Sequence, residues 1–217
     1  MLRLVIPCPF VSELDNTSVE RVIAIAFIRL CKGFYYRKGG NNMQQHKVVF
    51  TTRTMTYMAL FAALQIVLEW LTKFTPSMPQ GGNIAFSLVA IFLCSYIMGW
   101  GYGVILGIVC TGLHFALGMA LFYGPLSVIF DYVLPMIIVG LAGIIPLLKI
   151  GKGEFPLGIV IAIILKTISH LISGWYAFNT PLVANLAYNT PYNLATMIAC
   201  IVLFMLLYPR LKGLYRK

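Results

Sequence analysis

Asp131 and His170 stand out in a chain that is almost entirely apolar between residues 55 and 208. A charge in hydrocarbon is costly, so an ionisable side chain inside a membrane segment marks a candidate functional site. Tyr132, Trp175, Tyr176, Tyr188 and Asn193 fall near the same depth. A carboxylate beside aromatic faces suits a ligand that is cationic and flat, since a cation over a ring gains about 0.5–2 kcal/mol. An Asn amide and an imidazole add the donors and acceptors that read the edge of a heterocycle. Each residue also has a plainer reading: Asp131 in a salt bridge with Lys166, His170 as a packing histidine, Trp175 and Tyr176 as an interfacial belt. The convergence of the set, rather than any one member, carries the site.

Other chemistries find no support in the sequence. There is no hydrolase triad, phosphate loop or metal-ligand spacing. His46 precedes the first apolar segment and so cannot join His114 and His170 at one centre. Cys8, Cys31, Cys94, Cys110 and Cys200 form no CxxC pair, and three lie in apolar runs, as buried bystanders do. Neither enzymatic activity nor a resident cofactor or metal is expected.

The elements that must position these side chains are membrane helices, so the expected fold class is all-α. The chain is 60% hydrophobic and 10% charged, with mean hydropathy +0.88; a soluble domain carries about 25% charged residues. A bilayer core takes about 20 apolar residues per helix. Six segments meet that requirement: 55–74, 84–100, 103–122, 126–148, 155–178 and 192–208. Gly- and Pro-bearing breaks separate them. The stretch from Pro181 to Pro191 is uncharged, rich in Asn, Tyr and Thr, and reads as a loop, either a binding loop or an ordinary connector. The net charge of +10 gathers at segment ends, which is a topology signal and points to a lipid bilayer, not to nucleic acid. With the N-terminus in the cytosol, Lys47, Arg53, Lys149, Lys152, Arg210, Lys212, Arg216 and Lys217 lie inside and only Lys73 outside, so both termini are expected to be cytoplasmic.

Residues 1–42 do not match the rest. They hold three of the six acidic residues, and their apolar run, 22–28, is too short to span. Residues 38–43 (Lys-Gly-Gly-Asn-Asn-Met) can be encoded by a purine-rich ribosome-binding site followed by a start codon. The expected organisation is a non-native or disordered extension over 1–42 and a six-helix transmembrane substrate-binding domain over 43–217, starting at Met43.

The first segment carries Ala59 and Ala63 one turn apart, small residues that let another helix approach closely. Pattern alone leaves open whether that helix belongs to this chain or to a partner.

Several motifs in order resemble one family. They are the Ala59/Ala63 pair, Pro79-Gln80-Gly81-Gly82, Asp131-Tyr132, Leu165-Lys166 with His170, and Tyr188 followed by Asn193. Together, from about residue 54 onward, they resemble the thiamine-specific S components of energy-coupling factor transporters. The resemblance implies a multi-pass protein of the bacterial cell membrane that binds thiamine at its outer face. It implies vitamin contacts from Asp131, Tyr132, His170, Tyr188 and Asn193, and a stacking aromatic at Trp175 or Phe178. It further implies docking, through Ala59 and Ala63, on a transmembrane coupling subunit driven by two ATPase subunits. Family members place a Trp and, one turn later, a Glu at the start of helix two, where this chain has Asn83 and Ser87; Ser127 stands where a Gln often precedes the acidic-Tyr pair. The alternative reading is a stand-alone secondary transporter of thiamine or a related vitamin, proton-coupled through Asp131 and His170. Carriers of that kind often show internal repeats, and none is evident here.

Overall fold

Thr51 opens the first helix by a reciprocal cap: its side chain accepts from the Thr54 amide, and the Thr54 hydroxyl accepts from the Thr51 amide. In this computed structural model, which describes residues 48–74, 82–150 and 153–216, that helix is α1, Thr52–Thr72. A short 3-10 turn, Phe86–Leu88, leads into α2, Val89–Ile97, and α3 follows at Trp100–Ala116. Helix α4 runs from Pro125 to Ile144, α5 from Leu157 to Tyr176 and α6 from Leu182 to Arg216. Strands β1, Leu148–Ile150, and β2, Gly153–Phe155, form an antiparallel hairpin between α4 and α5. All six expected segments are therefore helical, and the hairpin is the one departure from an all-α chain among the described residues. The expected organisation of residues 1–42 and the motif residues 79–81 fall outside them.

Four helices (α1, α4, α5 and α6) are long and apolar enough to cross a membrane. Helices α2 with its leading turn, and α3, are shorter. Helix α2 is apolar on every side, and Val89 to Cys94 are wholly buried at the centre of the bundle. The exposed apolar side chains, among them Leu60, Val67, Ile164, Val202 and Leu206, form the surface that lipid would cover.

The largest correction concerns the stretch from Pro181 to Pro191. It is helix, not loop: α6 begins at Leu182 and continues through both Pro191 and Pro209. Proline ends most water-exposed helices, but in membranes the freed carbonyl can be satisfied by neighbouring groups. Tyr188 and Asn193 accordingly lie within α6 rather than on a loop and at a helix start.

Chain that is not helical is tied down by side chains of its neighbours, as backbone at membrane depth must be. Gly82 donates its amide to the Tyr188 hydroxyl (3.2 Å) and Ala85 donates to Thr196 Oγ1 (3.1 Å). Between α3 and α4, Met119 and Ala120 both donate to the His114 carbonyl, and Leu121 donates to the Tyr132 hydroxyl.

Helices α3 and α4 touch backbone to backbone through Gly103, Gly107 and Gly140. A Cβ built on Gly140 would lie 2.5 Å from the Val104 nitrogen, and one on Gly107 would lie 2.5 Å from the Met136 carbonyl oxygen. Neither partner is a flexible side-chain end, so the helices would have to part. Gly140→Ala should lower stability by about 1–3 kcal/mol, seen as a reduced melting temperature in detergent. Gly112→Ala, which meets nothing within 4 Å, should be neutral or mildly stabilising.

Candidate functional site

The helices alternate in direction, and one end of the bundle encloses a cavity of about 190 Å³. The ends of α1, α3 and α5 contribute Glu69, His114 and His170; the starts of α4 and α6 contribute Asp131 and Tyr188. The opposite end holds the N-terminus of α1 against the C-terminus of α6, where Arg53 Nη2 donates to the Tyr215 carbonyl (3.1 Å). Lys212 pairs with Glu154 at 3.1 Å, with Glu154 on the β hairpin.

Asp131 sits in a π-helical turn, Val128–Val133, inside α4. Such single wide turns recur at functional sites. The physical cause is Pro135, which cannot donate to the Asp131 carbonyl and whose ring would press on it in a regular α-helix. Ser169 of α5 donates its hydroxyl to the neighbouring Phe130 carbonyl, so the loosened turn keeps its acceptors occupied.

Both carboxylate oxygens of Asp131 are engaged. His170 Nδ1 lies 2.9 Å from Oδ1, while Ser127 and Ser173 each donate to Oδ2 at 2.7 Å. The expected alternative, a salt bridge from Asp131 to Lys166, does not form. Lys166 instead donates to Asn193 Oδ1 (2.7 Å), with its ammonium 5.8 Å from the centre of the Tyr192 ring. Because Nδ1 of His170 donates to Asp131, the neutral imidazole presents Nε2 as an acceptor.

The residues singled out from sequence divide by position. Asp131, Tyr132, His170, Phe178 and Tyr188 line the cavity. Asn193 is buried behind the wall, where it holds Lys166 and donates to the Asn189 carbonyl. Trp175 is 52% exposed and off the cavity, which leaves Phe178, edge-on to Tyr123 at 5.3 Å, as the lining aromatic of that pair. Ala59 and Ala63 do not line the cavity; both are exposed on an outward face of α1, beside the exposed Leu60.

Sequence reasoning missed a polar ladder. Asn185, Asn189 and Asn193 are all buried and spaced four apart on one face of α6. Asn189 Nδ2 donates to Asn185 Oδ1 (2.7 Å), and Asn185 Nδ2 donates to the Leu171 carbonyl (2.8 Å). Gly174 makes room: a Cβ there would run into the Asn185 amide. The i, i+4, i+8 spacing was a usable signal, hidden by reading the segment as a loop. Lys166, Ser169, His170 and Ser173 form a matching stripe on α5. Glu69 was missed because it lies near the end of an apolar segment, where a carboxylate ordinarily meets water.

Fold and site together define a helical membrane protein with a ligand-sized polar cavity between its helices. The chain belongs to the thiamine transporter protein family (Thia_YuaJ), whose profile matches residues 55–216. It is 26% identical over 174 residues to the thiamine transporter ThiT of Bacillus subtilis (strain 168), covering 71% of this chain and 91% of that protein. A solved structure described as native-SAD phasing for ThiT from Listeria monocytogenes serovar shares the fold, with TM-score 0.59 and 16% identity, covering 75% of this chain and 97% of the other. The family is the one the motifs resemble.

Asp131→Asn would set an amide N–H against one of the three donors that now converge on the carboxylate. The unliganded protein should lose about 1–3 kcal/mol, measured by thermal unfolding in detergent. In double-mutant cycles the coupling of Asp131→Asn to His170→Gln should exceed its coupling to Lys166→Met; the reverse order would reinstate the lysine as partner.

Proposed function

We propose that this protein takes up thiamine as the substrate-binding S component of an energy-coupling factor transporter in the bacterial cell membrane. In this reading the cavity faces outward and both termini face the cytosol. The observation that carries the proposal is the cavity of a chain in the thiamine transporter family: carboxylates, an imidazole acceptor and aromatic rings converge there. Thiamine is a fixed cation joined to an aminopyrimidine. His170 Nε2 can accept from the exocyclic amine, Phe178 and Tyr188 offer faces for the rings, and the carboxylates favour the positive charge. Asp131 orders His170, and the Asn193–Lys166 bond fixes the wall behind them.

In this reading the energy comes from a separate module. The exposed Ala59 and Ala63 support docking of a transmembrane coupling subunit, itself driven by two ATPase subunits: small side chains on an outward face let a foreign helix come close.

Native mass spectrometry of the protein purified from thiamine-fed cells should detect bound thiamine, and its absence at saturating concentration would remove the substrate assignment. Ala59→Leu and Ala63→Leu should reduce uptake at least roughly tenfold in cells carrying the coupling and ATPase subunits, while thiamine affinity of the isolated protein stays within about twofold. Uptake that persists without those subunits would favour a stand-alone, proton-coupled carrier using Asp131 and His170.

A further inference from the structure

We infer that Glu69, not Asp131, is the residue that selects for a positively charged ligand; the inference rests on the thiamine reading above. Two carboxylates line the cavity, and their surroundings differ. Asp131 is occupied on both oxygens by three donors. Its charge is spent on holding His170 and the α4–α5 contact. Glu69, on the last full turn of α1, accepts from the Ser87 hydroxyl at Oε2. Its other oxygen, Oε1, has no hydrogen-bond donor among the described residues, and no Lys, Arg or His there stands within ion-pair distance of it.

Charge balance points the same way. The lining contains Glu69, Asp131 and one ammonium, Lys166. With both imidazoles neutral the sum is one negative charge, and Lys166 is already engaged with Asn193 and the Tyr192 ring. A monocation is the ligand that neutralises the cavity; a neutral ligand leaves an uncompensated, partly desolvated carboxylate. Ser87 fixes Glu69 from the buried 3-10 turn that leads into α2, so the carboxylate is preorganised rather than free to swing into water.

The ligand-facing roles then separate. The His170 side, ordered by Asp131, reads the hydrogen-bonding edge of the heterocycle, and Glu69 reads the charge. Glu69→Gln keeps shape and the capacity to accept from Ser87 while removing the charge. It should weaken thiamine binding about 10- to 100-fold. Binding of an uncharged analogue, with carbon in place of the thiazolium nitrogen, should change less than about threefold or improve.

Calorimetric titration of wild type and variant with both ligands, on preparations of matched melting temperature, tests this. Retained analogue binding shows that the variant is folded. Equal losses for both ligands would make Glu69 a shaping residue and overturn the inference, as would unchanged thiamine affinity. If wild-type protein binds neither ligand, the thiamine reading itself falls and takes the inference with it; only the ratio between variant and wild type bears on Glu69 alone.

Discussion

Hydrocarbon offers no hydrogen bonds, so a polar group at membrane depth is costly unless it finds a partner inside the bundle. Asp131 shows how demanding that is. One carboxylate draws a hydroxyl from its own helix and a hydroxyl and an imidazole from α5. The two donors from α5 clamp it to α4 at the cavity end, and the bond at Nδ1 sets the tautomer of the His170 ring. Remove the need to satisfy that charge and neither the helix pairing nor the orientation of His170 follows.

The same rule explains features that look unrelated. The asparagine ladder on α6 exists because amides buried at 2–5% exposure are tolerable only when each hands its hydrogen bonds on. The ladder ends in Lys166, a lysine buried to 6% whose ammonium is held by Asn193 and faces an aromatic ring. The non-helical stretches 82–85 and 117–124 persist at the cavity mouth because Tyr188, Thr196, Tyr132 and the His114 carbonyl take up their amides. Cavity-lining residues therefore double as structural partners of the chain that forms the cavity walls.

Close packing supplies the rigidity that this network needs. Glycines at the α3–α4 contact bring two backbones together, and α2 fills the centre with apolar side chains at 0% exposure. Such a scaffold holds hydrogen-bonding geometry to within a fraction of an ångström, as a functional site of any kind requires. The outward face of α1 around Ala59 and Ala63 remains uncommitted to that core, so a partner can engage it without disturbing the cavity.

Much of this was legible in the chain itself. Apolar runs marked all six helices, although only four of them are long and apolar enough to cross a membrane. The cost of a buried charge singled out Asp131 and His170, and the structure joins them at 2.9 Å. Tertiary structure alone decided the rest. Local rules for proline assign a break at Pro191, yet α6 runs on through it and carries Tyr188 and Asn193 within it, as helices packed in a membrane bundle can. Partner choice was equally invisible: Lys166 takes Asn193 instead of Asp131 because its amine reaches α6, not the π-helical turn of α4. Trp175 faces outward from the last turn of α5, while Phe178 lines the cavity from the turn that follows the helix. Glu69 entered the site because α1 ends beside the buried start of α2, a proximity between distant segments that no spacing along the chain encodes.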